Sequence, residues 1–327
     1  MITDDLLVDL AAARVGGTVL AANDDFFAPK ENLVADAEPI WDPQRYTDRG
    51  KWMDGWETRR RRQPGHDWAV LRLGLEGIVH RVVVDTAFFT GNYPESCSVD
   101  AAHRVGGSPR GDADWFEVIP RTPLQGDTKV EIPFAPPAAA THIRLNIHPD
   151  GGVARLRVLG DPIPPQGLLD GSRVDLAALA SGARAVDCSD RHYSSPNRML
   201  VAGAPRGMWD GWETRRRRVP GNDWAMIRLA GRGVVERIEI DTTHYKGNAP
   251  GAAAVFGADA PGVEVPDLEQ WRPLLERTDL SPDTSHGFDD LAGTGRVTHL
   301  RLDIHPDGGV ARFRAWGGST EPWTSPR

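Results

Sequence analysis

Cysteine is nearly absent from this chain. Cys97 and Cys188 are the only two in 327 residues, and they fall at non-equivalent positions of the internal repeat described below. A disulfide framework would have been duplicated with everything else, so both thiols are expected to be free, in a reducing cytoplasm. Long apolar runs are missing as well. None approaches the ~18 residues of a membrane span, and Met1-Ile-Thr-Asp-Asp5 has neither the basic region nor the apolar stretch of a secretion signal. Basic excess is missing too: 38 Lys and Arg stand against 46 Asp and Glu, a net charge of −8. That balance argues against a general binder of nucleic acid or anionic membrane. Helix-period patterns are scarce, with Leu6 to Ala13 and Val174 to Ala180 the two segments expected to form short helices. No Gly-rich strand-to-helix fingerprint is present, which argues against a dinucleotide fold. No His-x-His, Cys-x-x-Cys or His-Glu-x-x-His spacing marks a metal centre.

What the chain does have is a duplication. The nine residues Asp54-Gly-Trp-Glu-Thr-Arg-Arg-Arg-Arg62 recur letter for letter as Asp210 through Arg218, 156 positions later. Both copies continue into Pro-Gly-x-Asp-Trp-Ala, at Pro64 to Ala69 and Pro220 to Ala225. Val8 to Ala12 matches Val174 to Ala178, and Asp24 with Phe26-Phe27 matches Asp190 with His192-Tyr193, here at an offset of 166. The first copy therefore carries about ten extra residues between Phe27 and Asp54. Asp85-Thr86 and Gly91-Asn92 return as Asp241-Thr242 and Gly247-Asn248, and Arg144 to Arg155 returns as Arg301 to Arg312. A period this long means two whole domains, because solenoid and propeller repeats run ~20–50 residues. The expected boundaries are 1–161 and 168–327, joined by a proline-rich connector at 162–167.

Within each copy, short alternating strands lie between Gly, Pro, Asn and Asp clusters. Trp68 to Leu73, Ile78 to Val84, His142 to Ile147 and Val153 to Val158 have counterparts at Trp224 to Leu229, Val234 to Ile240, His299 to Ile304 and Val310 to Ala315. This spacing predicts an all-β chain of two tandem antiparallel β-sandwiches. The strand order resembles a galactose-binding-like jelly roll, in which ligands sit on the loops at one end.

The duplicated Asp-Gly-Trp-Glu-Thr-Arg-Arg-Arg resembles the allantoicase family. So do Gly65-His-Asp-Trp68, Val84 to Asn92, and Pro-Asp-Gly-Gly-Val-Ala-Arg near the end of each copy. The resemblance runs in order through nearly the whole chain. It implies hydrolysis of allantoate to ureidoglycolate and urea, a small-molecule partner with no role for nucleic acid or membrane, and assembly into a homo-oligomer. A ureidoglycolate-type hydrolase or lyase, or a non-catalytic tandem binding module, are the competing readings.

Allantoate is a carboxylate whose α-carbon bears two ureido groups. A planar guanidinium fork suits its carboxylate, while Asp, Glu, Asn and backbone groups suit its ureido nitrogens and oxygens. The expected substrate contacts are Trp56, Arg59, Arg60 and Asn92, with Glu213, Arg215, Arg216 and Asn248 in the second copy. Either Arg59 or Arg60 would anchor the carboxylate. Glu57, His66, Asp67 and Asp85 are the candidate acids and bases. In an extended segment Glu57, Arg59 and Arg61 would share one face, and Thr58, Arg60 and Arg62 the other. Trp56 and Trp212 also suit packing under a loop, and Asp85 and Asp241 suit closing a turn. No cofactor is firmly implied. His148 and Asp150, with His305 and Asp307, would offer only a thin ligand set for a divalent ion such as Mn²⁺, and their Pro-Asp-Gly-Gly context reads as a tight turn. The copies are not equal: His66 becomes Asn222, Phe88-Phe89-Thr90 becomes His244-Tyr245-Lys246, and Glu95 becomes Gly251. The first copy is the better match to the family motif, and a composite site between the halves is the other arrangement open to the sequence.

Overall fold

The computed structural model describes residues 6–323 except Thr294. The chain is all-β and divides into two compact units, one from Val8 to Asp161 and the other from Pro162 onward together with Leu6 and Leu7.

In the first unit the long strand Asp67–Asp85 runs antiparallel to Lys129–His148, with Ala69 opposite Leu145, Leu71 opposite Ile143 and Val82 opposite Ile132. The register shifts between Arg72 and Gly77. Before the shift, Thr18–Ala22 flanks the long strand, and Lys129–His148 passes on to Ser96–Ala102 and then Phe116–Pro123. Arg155–Pro162 lies on the other side of the long strand, with Val8–Asp9 at its edge. Alternation decides the faces: Ala69, Leu71 and Leu73 are buried while Arg72 is exposed. Leu71, Val82, Val99, Ile119, Ile143, Leu145 and Leu156 form a core with no exposed surface.

The second unit repeats this plan. Asp223–Asp241 pairs with Arg296–His305 through its first part, Ile227 opposite Leu300, and with Arg312–Pro322 through its second, Ile240 opposite Phe313. Arg184–Cys188 flanks the first part and Ser285–Phe288 the second. The register shift recurs between Arg228 and Gly233. Glycine is required there: a Cβ on Gly77 would sit 2.6 Å from the Asp161 carbonyl oxygen, and one on Gly233 2.5 Å from that of Gly318. In the second unit the long strand thus changes partners midway, which is how a β-sandwich turns its corner, while in the first it keeps Lys129–His148 along its whole length.

The two expected helices do not form. Val8–Asp9 and Arg173–Asp175 are edge strands, each followed by a 3₁₀ turn, at Ala13–Val15 and Leu179–Ser181. Aspartate explains the difference. Asp9 Oδ1 accepts from the amides of Ala11 and Val158, and Asp175 Oδ1 from those of Ala177 and Ala315. A side chain bonding two residues ahead closes a turn that competes with helix.

Candidate active site

The repeated Asp-Gly-Trp-Glu segment is held from beneath. Arg155 is 2% exposed and donates to Ala37 O, Asp54 O, Ala154 O and Asp54 Oδ2, the last at 2.9 Å. Arg312 serves Asp210 in the same way, with a 2.7 Å bond to Oδ2. Trp56 and Trp212 are fully buried, and their indole nitrogens donate to Asp24 O and Asp190 O. Trp56 is therefore a packing residue and not the substrate contact expected of it, since its ring has no surface to offer.

Trp56–Glu57 then pairs for two residues with Gly152–Val153. Thr58 is buried and its hydroxyl accepts from Gly151 N at 3.1 Å, a bond repeated between Thr214 and Gly308 at 3.0 Å. The strand ends there, so the expected alternation of faces fails: Arg60 and Arg61 both line the cleft on which Glu57 opens. This cleft, about 950 Å³, also takes in Asn92, Tyr93, Glu95 and Asp150.

Glu57 is half-buried, and its Oε1 accepts from Asn92 Nδ2 at 2.7 Å. Burial raises its carboxyl above the usual glutamate value, and the Asn92 bond offsets part of that rise. Glu213 and Asn248 repeat the contact at 2.6 Å.

The arginines divide by partner. Arg59 makes a fork to Asp24, with Nε 3.0 Å and Nη2 2.9 Å from Oδ1, and Arg215 pairs with Asp190 Oδ2 at 2.8 Å. Arg61 donates its amide to Asp150 Oδ2 at 2.9 Å and its guanidinium to buried Asp67 at 2.6 Å, as Arg217 does to Asp307 and Asp223 at 2.8 and 2.7 Å. Arg60 and Arg216 are exposed and have no hydrogen-bond or ion-pair partner among the described residues. Of the two expected anchors, Arg60 is the free cation on the cleft and Arg59 is committed to Asp24.

The remaining candidates lie apart from Glu57. Asp67 is 2% exposed, accepts from Arg61 and from Asn23 Nδ2, and lines a neighbouring depression with Arg59 and Arg62, which meets the cleft at Arg60 and Arg61. Asp85 Oδ1 accepts from Ala87 N at 2.8 Å and Asp241 Oδ1 from Thr243 N at 2.8 Å, the turn-closing role. Burial raises Asp85, against its bond to Ala87 and the Lys129 charge. Neither Asp67 nor Asp85 is among the residues lining the cleft. His66 is exposed, with its ring 4.8 Å from that of His148, whose Nε2 lies 3.2 Å from Ser98 Oγ. Asp150 Oδ2 accepts the Arg61 amide while Oδ1 stays open to the cleft, and no three His, Cys, Asp or Glu side chains converge among the described residues. Sequence reasoning passed over Thr58, Tyr93 and Asp24. For Thr58 and Asp24 a signal existed, because both are identical in the two copies.

The allantoicase repeat model matches this chain twice, over residues 8–163 and 174–320. A probable allantoicase of Nocardia farcinica is 49% identical over 316 residues, covering 95% of this chain and 94% of that protein. Probable allantoicase 2 of Burkholderia pseudomallei is 46% identical over the same coverage. The crystal structure of allantoicase from Saccharomyces cerevisiae superposes with a TM-score of 0.83 at 33% identity, covering 97% of this chain and 95% of the other. With both of its units matching the repeat and a relative 49% identical over nearly its whole length, the chain belongs to the allantoicase family.

Proposed function

We propose that this chain hydrolyses allantoate to ureidoglycolate and urea in purine degradation, with the cleft of the first unit as the reacting site. The observation that carries the assignment of the site is the half-buried Glu57, oriented by Asn92, in the same cleft as the unpaired guanidinium of Arg60. Arg60 takes the substrate carboxylate, where a fork of N–H donors fits two carboxylate oxygens. Glu57, carrying its proton at higher pH than an exposed glutamate, gives that proton to the nitrogen of the departing urea. The C–N bond breaks as the remaining ureido nitrogen donates its lone pair to the α-carbon. Water then adds to that carbon, and the Glu57 carboxylate recovers a proton from it. The sum is allantoate plus water giving ureidoglycolate plus urea. Asn92 holds Oε1 so that Oε2 faces the reacting atoms, and Glu95 and Asp150 supply acceptors for ureido N–H groups.

The second unit keeps Glu213, Asn248 and Arg216 but has Gly251 where the first has Glu95, and Lys246 where it has Thr90. Turnover belongs to the first unit on this reading. A reducing cytoplasm suits the two free cysteines; no described helix is long and apolar enough to cross a membrane. Assembly into a homo-oligomer is part of the same proposal, and light scattering would measure it.

A urea-release assay on purified protein with allantoate tests the function, run once after exhaustive chelation and once with Mn²⁺ restored. Steady urea production is the expected result. Folded protein that releases none under either condition would overturn the assignment.

A further inference from the structure

The cleft has a second lobe that the reaction above leaves unused. A cavity of about 500 Å³ adjoins it and shares Phe27, Glu57, Thr90 and Asn92 with it. Its far wall comes from the stretch that only the first unit carries. Asp24 and Asp54 are 30 residues apart, whereas their counterparts Asp190 and Asp210 are 20 apart. The extra residues include a small hairpin, Tyr46–Thr47 paired with Gly50–Lys51, so an insertion has been placed against the Glu57–Asn92 pair.

The chemistry of this wall is specific. Trp41 stacks on Phe88 with ring centroids 6.1 Å apart, and the ammonium of Lys51 lies 4.1 Å from the centre of the Trp41 ring. The indole, 38% exposed and in contact with Phe88 and Lys51, forms part of the lobe's wall. Arg49 packs 4.8 Å over Phe26 and donates to the Phe26 carbonyl. Neither Lys51 nor Arg49 is paired with a carboxylate among the described residues. The lobe also holds Asp127, which accepts from Phe88 N at 2.8 Å, and Glu57, which accepts from Asn92. Two cations therefore line the lobe together with one aspartate that accepts from a backbone amide and one glutamate whose burial opposes ionisation. At the equivalent place in the second unit the sequence has His244 for Phe88, and its Nε2 meets Pro205 O at 3.1 Å.

We propose that this lobe is a second anion subsite, built by the insertion, which takes the carboxylate of a small ureido or hydroxy acid on Lys51 and Arg49. The ligand class rests on the proposed function; the presence of a cationic subsite does not. Because the lobe shares four lining residues with the reacting cleft, an anion held in it stands beside Glu57, as a departing product would.

Hydantoate, the ureido acid that lacks the second ureido nitrogen needed to drive urea's departure, is a suitable probe. Calorimetric titration without allantoate, at about 0.15 M salt so that charges beyond ~8 Å are screened, would be compared among wild type, Lys51→Met, Arg49→Gln/Lys51→Met and Lys246→Met. The expected result is one binding equivalent weakened at least tenfold in Lys51→Met and lost in the double variant, at unchanged Tm, with Lys246→Met indistinguishable from wild type. Identical isotherms for wild type and the double variant would overturn the subsite. So would an equal loss in Lys246→Met, which would make the effect one of net charge. If allantoate yields no urea while the Lys51-dependent equivalent persists, the reaction assignment fails and the subsite stands.

Discussion

Asn92 donates its side-chain amide to Oε1 of Glu57 at 2.7 Å and leaves Oε2 without a donor among the described residues. Asn248 does the same for Glu213 at 2.6 Å. An amide donor on one oxygen fixes the plane of the carboxyl group and stabilises its ionised form. Burial works the other way. The balance between these two effects sets the pH at which Glu57 gives up its proton.

Asn92→Ala should therefore raise the pKa of Glu57 further, because it removes the bond that stabilises the carboxylate. The pH profile of kcat for urea release should move to higher pH, with kcat at its optimum falling about tenfold as the carboxyl group loses its orientation. An unmoved profile would show that Glu57 is not the titrating group.

Arg60→Ala and Arg59→Ala should separate binding from loop anchoring. Losing a charge-assisted contact worth roughly 1.5–3 kcal/mol raises KM for allantoate by about ten- to a hundredfold in Arg60→Ala, with Tm unchanged. Arg59→Ala removes a largely exposed pair with Asp24, its side chain 64% exposed, and should cost at most ~1 kcal/mol of stability with a smaller change in KM. The reverse ranking of KM would make Arg59 the anchor.

Glu57→Gln should lower kcat by about 10²–10⁴-fold, while Glu213→Gln keeps most of the activity. The stability of Glu57→Gln has a definite sign. A carboxyl whose folded pKa lies above its unfolded value favours folding most at low pH, and that contribution is lost as pH rises through the folded pKa. Glutamine does not ionise, so the variant should match or exceed wild type in Tm at pH 7–8 and lose any advantage below the ordinary glutamate value of 4.5. Equal loss of activity in both variants would mean that the two units act together.

Acid should loosen the second unit through Asp210. Burial opposes its ionisation, but the Arg206 and Arg312 guanidiniums hold its carboxyl down at about 2. The stability it supplies is complete above the unfolded value of 3.8 and is lost as pH falls through about 2. Asp210→Asn should cost about 2 kcal/mol at pH 7, and the gap to wild type should close by about pH 2. Urea unfolding at both pH values measures it.

Much of this was legible in the residues. The duplication placed Glu57 with Glu213 and Asn92 with Asn248, and alternation placed the strands around Trp68 to Val84 and His142 to Val158. The site chemistry was less so. Arg59 to Arg62 are four identical letters, and only the chain's departure from strand geometry after Glu57 decides that Arg60 faces the cleft while Arg59 meets Asp24. Trp56 reads as a ligand platform or as a packing group, and burial decides between them. Leu6 to Ala13 has helical spacing, but spacing does not show that Asp9 will bond the Ala11 and Val158 amides instead. The insertion appeared as a count of about ten residues; that it walls a cavity beside Glu57 depends on where Lys51 and Trp41 come to rest.

The 19-residue strands Asp67–Asp85 and Asp223–Asp241 carry a consequence for folding. In each unit one continuous strand runs through the ladders on both sides of its register shift and joins them covalently. A slip of one residue would turn Leu71 outward in the first part, or Val82 in the second. Neither face of a unit is then a separate cooperative block, and each unit should open as a whole, with amide protons at both ends of its long strand exchanging through the same global event.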